Sequence, residues 1–176
     1  MTRHWRFIPL ALFVALVGAM VWRLATPPDT QVASQLTGQR VPVFNLPAAV
    51  PGKRGLSSRD LTGGAGPRLV NIFASWCVPC ATEAGVLAEL KRRGVKIDGI
   101  AIRDREEDLQ AFLARHGDPF DRIGADDQSE VQIALGSSGV PESFIVDRAG
   151  VIRAQHIGPI AAADIPAILT QVEAAR

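Results

Sequence analysis

Trp76-Cys77-Val78-Pro79-Cys80 carries the only two cysteines of the chain, and its flanks decide the fold. Upstream runs Leu69-Val70-Asn71-Ile72-Phe73-Ala74, apolar and rich in β-formers. Downstream, Val86, Leu87 and Leu90 recur at helical spacing until Gly94 stops them. A Cys-x-x-Cys at a turn from strand to helix sets both sulfurs on one side of the first helical turn. Cys77, at the helix start, faces unpaired N–H groups and the positive end of the helix dipole, which favour its thiolate. It is the candidate nucleophile of a thiol–disulfide exchange. Cys80, one turn deeper, is the candidate resolving thiol. Pro79 fits because the N–H it lacks has no intrahelical partner in a first turn.

Other uses of a cysteine pair fit less well. A structural disulfide here closes a very short loop, where chain-entropy stabilisation is smallest. A zinc site needs about four ligands, and His4, His116 and His156 are scattered. Covalent haem attachment needs a histidine at position 81, which is Ala81.

Glu83 lies on the same stripe, three residues before Val86 and three after Cys80. An inward carboxylate one turn from the deeper thiol can exchange a proton with it, and desolvation raises its pKa toward the working range. The alternative is a carboxylate that complements the helix N-terminus or reaches solvent.

The 176 residues suit one domain of about 150 residues plus an extension. An apolar fraction of 47% fills a core without a disulfide staple. The net charge is +1; setting aside Arg3, Arg6 and Arg23, 16 basic side chains face 18 acidic ones. Nothing in this balance points to nucleic acid. From Phe7 to Trp22 run 16 residues without charge, preceded by Arg3, His4 and Arg6 and followed by Arg23. At about 1.5 Å per residue this falls short of a full span, and snorkelling Arg6 and Arg23 with Leu24-Ala25 lengthen it. Residues 1–25 therefore read as a signal-anchor transmembrane segment, in the membrane through residues 7–25. A cleaved signal peptide, with Val17-Gly18-Ala19 as its site, is the alternative. Two arginines before the run against one after it put the amino terminus inside and the domain outside, where a dithiol meets oxidising conditions. Thr26 to Gln35, with Pro27-Pro28, reads as a linker, leaving residues 36–176 as the domain.

Within that domain, Val41 to Pro47 reads as a short edge strand, since Pro42 and Pro47 cannot donate to a ladder. Gly52 to Gly66 reads as a loop attached through Leu56 and Leu61. Ile97 to Ile102 is a strand. Asp104 and Glu107 form a capping box for a helix with the stripe Leu109, Phe112 and Leu113, ended by His116-Gly117. Phe120 to Ile123 is a short strand, and Ser129 with Gln132 caps a helix ended by Gly136. The run to Val146, the turn Asp147 to Gly150 and Val151 to His156 form a β-hairpin. Asp164 caps a last helix with Ile165, Ile168, Leu169 and Val172. The pattern is α/β, a mixed central sheet flanked by helices.

The tetrad, Val41 to Pro47, and Gly139-Val140-Pro141-Glu142-Ser143-Phe144-Ile145-Val146-Asp147 together resemble the thioredoxin superfamily. More narrowly the chain looks like the membrane-anchored thiol-disulfide interchange proteins of the DsbE/CcmG type, which act in cytochrome c maturation. The resemblance implies a thioredoxin-like fold, Cys77 as attacking thiol, Cys80 as its partner, and Pro141 as a cis proline shaping the substrate cleft. Val140 is then expected to offer its backbone to an extended substrate, with Trp76 and Glu142 beside it. Glu83 and Glu142 match acidic residues of the family's site. On its own residues Glu142 is either a cleft acid that tunes the thiols and repels negative partners, or an exposed strand residue. Asn71 stands where thioredoxins keep a buried Asp, which favours Glu83 as proton relay. Ser137-Ser138 departs from the family, which usually has an aromatic before Gly139, and predicts a wetter cleft wall.

The implied activity is that of a protein thiol-disulfide oxidoreductase, a disulfide reductase, acting on apocytochrome c before haem attachment. It implies a single-pass inner-membrane protein with its catalytic domain in the periplasm, re-reduced by a membrane electron donor. No small-molecule cofactor or metal is needed, because the thiols carry the electrons. Alternatives are a general periplasmic or copper-site thiol reductase, or a non-enzymatic copper-delivery module using Cys77, Cys80 and His156.

Overall fold

The computed structural model describes residues 7–25, 36–64 and 66–176, which fall into two compact units. The expected linker 26–35 and the basic residues Arg3, His4 and Arg6 lie outside the described residues. One unit holds helix α1 (Ile8–Ala25), whose Phe7, Leu10, Leu12, Phe13, Leu16 and Met20 flank or line it with most of their surface exposed. Its 18 residues rise roughly 27 Å, a few ångströms less than a hydrocarbon core of about 30 Å. Among the described residues no helix is long and apolar enough to cross a membrane.

The other unit runs β1 (Asn45–Leu46), β2 (Leu56–Ser57), β3 (Arg68–Phe73), α2 (Val78–Arg92), β4 (Lys96–Ile102) and α3 (Glu106–His116). It continues with β5 (Arg122–Asp126), α4 (Glu130–Ala134), β6 (Glu142–Val146), β7 (Ile152–Ile157) and α5 (Ile165–Ala174). Five strands form one sheet in the order β5-β4-β3-β6-β7. The first three are parallel, joined through helical crossovers, whereas β6 and β7 run antiparallel to their neighbours. Strands β3, β4 and β6 are buried almost residue by residue, as a sheet covered on both faces requires. Leu69, Ile72, Ile97, Ile100 and Phe144 are fully enclosed. This is the mixed α/β architecture that the periodicity predicts. The hairpin between β6 and β7 closes on Asp147, whose Oδ1 accepts the N–H groups of Ala149 and Val151, while Gly150 takes φ +77°.

Several local readings give way where the packed chain supplies another partner. The edge strand expected at Val41 to Pro47 shrinks to Asn45–Leu46 and pairs with Leu56–Ser57, inside the segment read as loop. The neighbouring backbone instead covers both edges of the main sheet. Gly38 and Val41 donate N–H to Ile152 and Gly150 beside β7, and Ala49 donates to Ile123 on β5. Gly55 permits the return of the chain, since a Cβ there would lie 2.2 Å from the Leu46 carbonyl oxygen. The expected strand at Phe120 to Ile123 starts two residues later, because the Phe120 N–H turns to the Asp118 side chain and its ring stacks on Phe73 at 4.5 Å.

The capping boxes expected at Asp104 and Ser129 do not form. The Asp104 carboxylate leaves α3 and accepts the N–H and O–H of Ser75 at 2.6 and 2.5 Å. Ser129 sits in the left-handed region, φ 58°, with its Oγ accepting from the Arg103 guanidinium; Asp126 takes the Gln132 N–H in its place. Asp164 likewise accepts the Ala161 N–H, capping the short 3-10 turn ahead of α5 rather than α5 itself.

Candidate active site

Strand β3 brings the chain to one end of the sheet at Phe73, and it turns through Ala74 into α2. Cys77 is the N-cap residue of α2, in extended conformation, and its Sγ accepts the Cys80 N–H at 3.1 Å. Its carbonyl oxygen takes the N–H groups of Cys80 and Ala81. An N–H aimed at this sulfur stabilises negative charge on it once the pair is reduced. In this structure the two sulfurs are joined as a disulfide, and both cysteines are buried, between exposed Trp76 and Val78 on one side and the core on the other.

The residues ahead of Cys77 are fastened to the loop that follows β4. Ser75 is held on Asp104, and the Trp76 indole N–H donates to the Arg103 carbonyl oxygen at 3.2 Å. Arg103 is itself left-handed, φ 46°, and its guanidinium donates to Ser129. Two non-glycine residues in this sparsely populated region, hydrogen-bonded to each other, lie one contact away from the cysteine loop. The sequence offered Ser129 only as a helix cap and gave no signal for Arg103, because their pairing spans 26 positions.

Strand β6 pairs antiparallel with β3, Ile72 opposite Glu142. Pro141 directly precedes Glu142, at the end of the sheet from which Cys77 departs. The Val140–Pro141 peptide is cis. Trp76 is more than half exposed, Val140 partly so, and Pro141 is buried.

Glu83 does not reach solvent. It is 1% exposed; Oε1 accepts from Asn71 Nδ2 and Oε2 from the Ile160 N–H, each at 2.9 Å. Burial raises its pKa above the ordinary carboxyl value, outweighing those two hydrogen bonds and the nearby His156, which act in the opposite direction. Asn71 Nδ2 also donates to Ser143 Oγ, while its Oδ1 is buried without a hydrogen-bond partner among the described residues. Glu83 and Cys80 line one small cavity of about 10 Å³ with Asn71, Phe73 and Phe120. That is close to the space of a single water, in a mostly apolar pocket that Glu83 and Cys80 both line.

The sign of the Glu83 shift gives a prediction. A raised folded-state pKa means that the folded chain holds this proton more tightly than the unfolded chain. The stabilisation is present below the ordinary carboxyl pKa of 4.5 and is lost as pH rises through the raised value. Glu83→Gln stays neutral, so its stability relative to the parent is expected to improve steadily from acid toward neutral pH. The two donors favour the ionised form and are already contained in the net upward shift. Urea unfolding at several pH values reads the difference, and a flat difference would contradict the raised pKa.

Glu142 is the correction at this site. The reading of it as an exposed strand residue is overturned: the residue is 1% exposed and hydrogen-bonded to Ser137, Ser138 and Gln155. It begins a central strand, where a free charge is too costly to bury unpaired. His156, on β7, comes within 3.9 Å of Asp164 and lies at an exposed edge of the site.

The redoxin family matches residues 36–171. The chain is 36% identical over 160 residues to the thiol:disulfide interchange protein DsbE of Pseudomonas fluorescens biotype C, covering 91% of this chain and 88% of that protein. It is 34% identical over 160 residues to the thiol:disulfide interchange protein HelX of Rhodobacter capsulatus, covering 91% and 90%. Among solved structures, a thioredoxin-family thiol:disulfide interchange protein of Chlorobium tepidum superposes with a TM-score of 0.60 at 26% identity, over 76% of this chain and 94% of that one. A disulfide poised at a helix start, the cis peptide at the same end of the sheet and these matches agree: the chain belongs to the redoxin family and is a protein thiol-disulfide oxidoreductase of the DsbE type.

Proposed function

We propose that this oxidoreductase works as a periplasmic, membrane-anchored reductase of apocytochrome c, opening the disulfide of its haem-attachment segment. The observation that carries the reading is the Cys77–Cys80 pair at the start of α2, at the sheet end that also bears cis Val140–Pro141. In the reduced protein the Cys77 thiolate attacks one sulfur of the substrate disulfide, forming a mixed disulfide and expelling the other substrate sulfur as a thiolate. Cys80 then gives up its proton and attacks Cys77 Sγ, so the second substrate thiol departs and the pair is left oxidised. Glu83, which lines the same small cavity as Cys80, accepts that proton. Trp76, Val140 and Pro141 receive the substrate as an extended peptide. A membrane dithiol donor returns two electrons, and no further cofactor is required.

Anchoring is assigned to residues 7–25. Support comes from the apolar side chains that α1 exposes. Deleting residues 1–25 is expected to move the protein from the membrane fraction to the soluble one, read by fractionation; retention on the membrane would overturn the anchor.

The functional test uses the full chain with an oxidised peptide carrying Cys-x-x-Cys-His. Reduction of that peptide, with a pair potential below about −200 mV, in the range of reducing rather than oxidising family members, supports the proposal. A potential near −120 mV, with the protein oxidising the peptide dithiol instead, would make it a disulfide-forming enzyme.

A further inference from the structure

The Glu142 carboxylate stands directly after cis Pro141, and its hydrogen bonds all point back to the loop that leads into that proline or across to β7. Oε2 accepts the Ser137 hydroxyl at 2.8 Å, the Ser138 N–H at 2.9 Å and, more weakly, the Ser138 hydroxyl at 3.4 Å. Oε1 accepts from the Gln155 amide, on the neighbouring strand. Ser137 has one hydroxyl hydrogen and two acceptors within reach, Glu142 and the Gly139 carbonyl oxygen at 3.0 Å, so both of its options tighten the same turn. Among the described residues, the loop hydrogen bonds of Ser138 end on Glu142 alone. Ser138 itself is exposed, so nothing else packs it in place.

We infer that Glu142, with Ser137 and Ser138 as its donors, is a positioning residue that holds the Ser138-Gly139-Val140 segment in register for an incoming protein substrate. The serines that break the family's aromatic pattern are the donors this clamp uses. Glu142 is therefore not a free acid of the cleft: both oxygens are spent on the turn and on Gln155. The inference rests on the proposed binding of substrate along Val140, and it assigns Glu142 to substrate affinity and not to thiol chemistry. Charge-assisted hydrogen bonds are stronger than neutral ones, and removal of the shared acceptor releases three loop contacts together.

The test compares Glu142→Gln and the double variant S137A/S138A with the parent, in the full chain. Gln keeps the shape but must present an N–H to one of the donors, so it weakens the clamp without emptying the site. For a disulfide-containing protein substrate the expected result is a rise in KM of about tenfold with kcat changed less than threefold. The rate with a small aromatic disulfide, which does not need the loop, and the potential of the Cys77/Cys80 pair are expected to stay unchanged. Unaltered KM in both variants would overturn the proposal. So would an equal change with both kinds of disulfide, which would move Glu142 back to the thiols. Amide hydrogen exchange at Ser138 and Gly139 separates this inference from the functional reading. Faster exchange in Glu142→Gln is expected even if the parent reduces no protein disulfide, and unchanged exchange would refute the clamp on its own.

Discussion

Cys77→Ser is expected to lose disulfide exchange by a factor on the order of 10⁴ to 10⁶, the scale seen when an enzyme's nucleophile is removed. Serine at the N-cap keeps the hydrogen bond to the residue 80 N–H and so preserves the start of α2. It cannot present a thiolate, and an alkoxide is out of reach near neutral pH. Cys80→Ser is expected to behave differently. Cys77 still attacks, but no thiol remains to displace the substrate, so a mixed disulfide accumulates at one equivalent. Mass spectrometry under non-reducing conditions, with the oxidised Cys-x-x-Cys-His peptide as partner, reads both outcomes. Adduct formation on Cys80 in the Cys77→Ser protein would reverse the two roles. The assignment is physical: it is Cys77 whose sulfur accepts the Cys80 N–H in the first turn of the helix, whereas Cys80 lines the small cavity with Glu83.

Asp98→Ala is expected to destabilise the domain by about 3–5 kcal/mol, the range for breaking a buried ion pair from one side. Asp98 lies in β4, opposite Val70 of β3 and Arg122 of β5, and its side chain is fully buried. Arg68 grips it with Nε and Nη2, the latter at 2.9 Å, and Arg122 approaches to 3.6 Å. Burial alone would lower the Arg68 pKa, yet the hydrogen bond to Asp98 and the charges of Asp98 and Asp121 raise it. Removing Asp98 leaves Arg68 with Asp121 and Arg122 with Asp60, so two guanidinium groups face the emptied position. Asp121 also binds Lys91 near the end of α2, so the same cluster fastens that helix to the sheet. Urea unfolding measures the loss, and a change below about 1 kcal/mol would show the pair to be dispensable. Exchange activity per folded molecule is expected to hold. Arg68 opens β3, and the cysteine loop leaves from the strand's other end.

Much of this was readable from local pattern. The alternation of apolar strands with helical stripes predicts the α/β order, because period and turn chemistry act over a few residues. Asp147 to Gly150 reads as a hairpin turn and is one, since its carboxylate closes on N–H groups two and four positions away. Cys77 and Cys80 needed no long-range partner to be recognised as a redox pair, whereas the place of Glu83 on an apolar stripe left burial and solvent as alternatives, and the structure buries it.

What escaped was the destination of polar side chains whose partners come from elsewhere in the chain. Asp104 looked like a helix cap and serves Ser75, 29 residues away; Asp98 had no local signature and meets Arg68 across 30. Glu142 lay in a recognised motif, but its burial follows from β6 taking an interior place in the sheet, which no neighbouring residue announces. The sequence by itself determined the elements, their order and the pair of sulfurs, because these depend on spacing within one or two turns. Only the tertiary structure decided which donors each buried carboxylate meets: Ser137, Ser138 and Gln155 for Glu142, Asn71 and the Ile160 N–H for Glu83. A buried charge takes whatever donors the packed strands bring to it, and strand register is a property of the whole sheet.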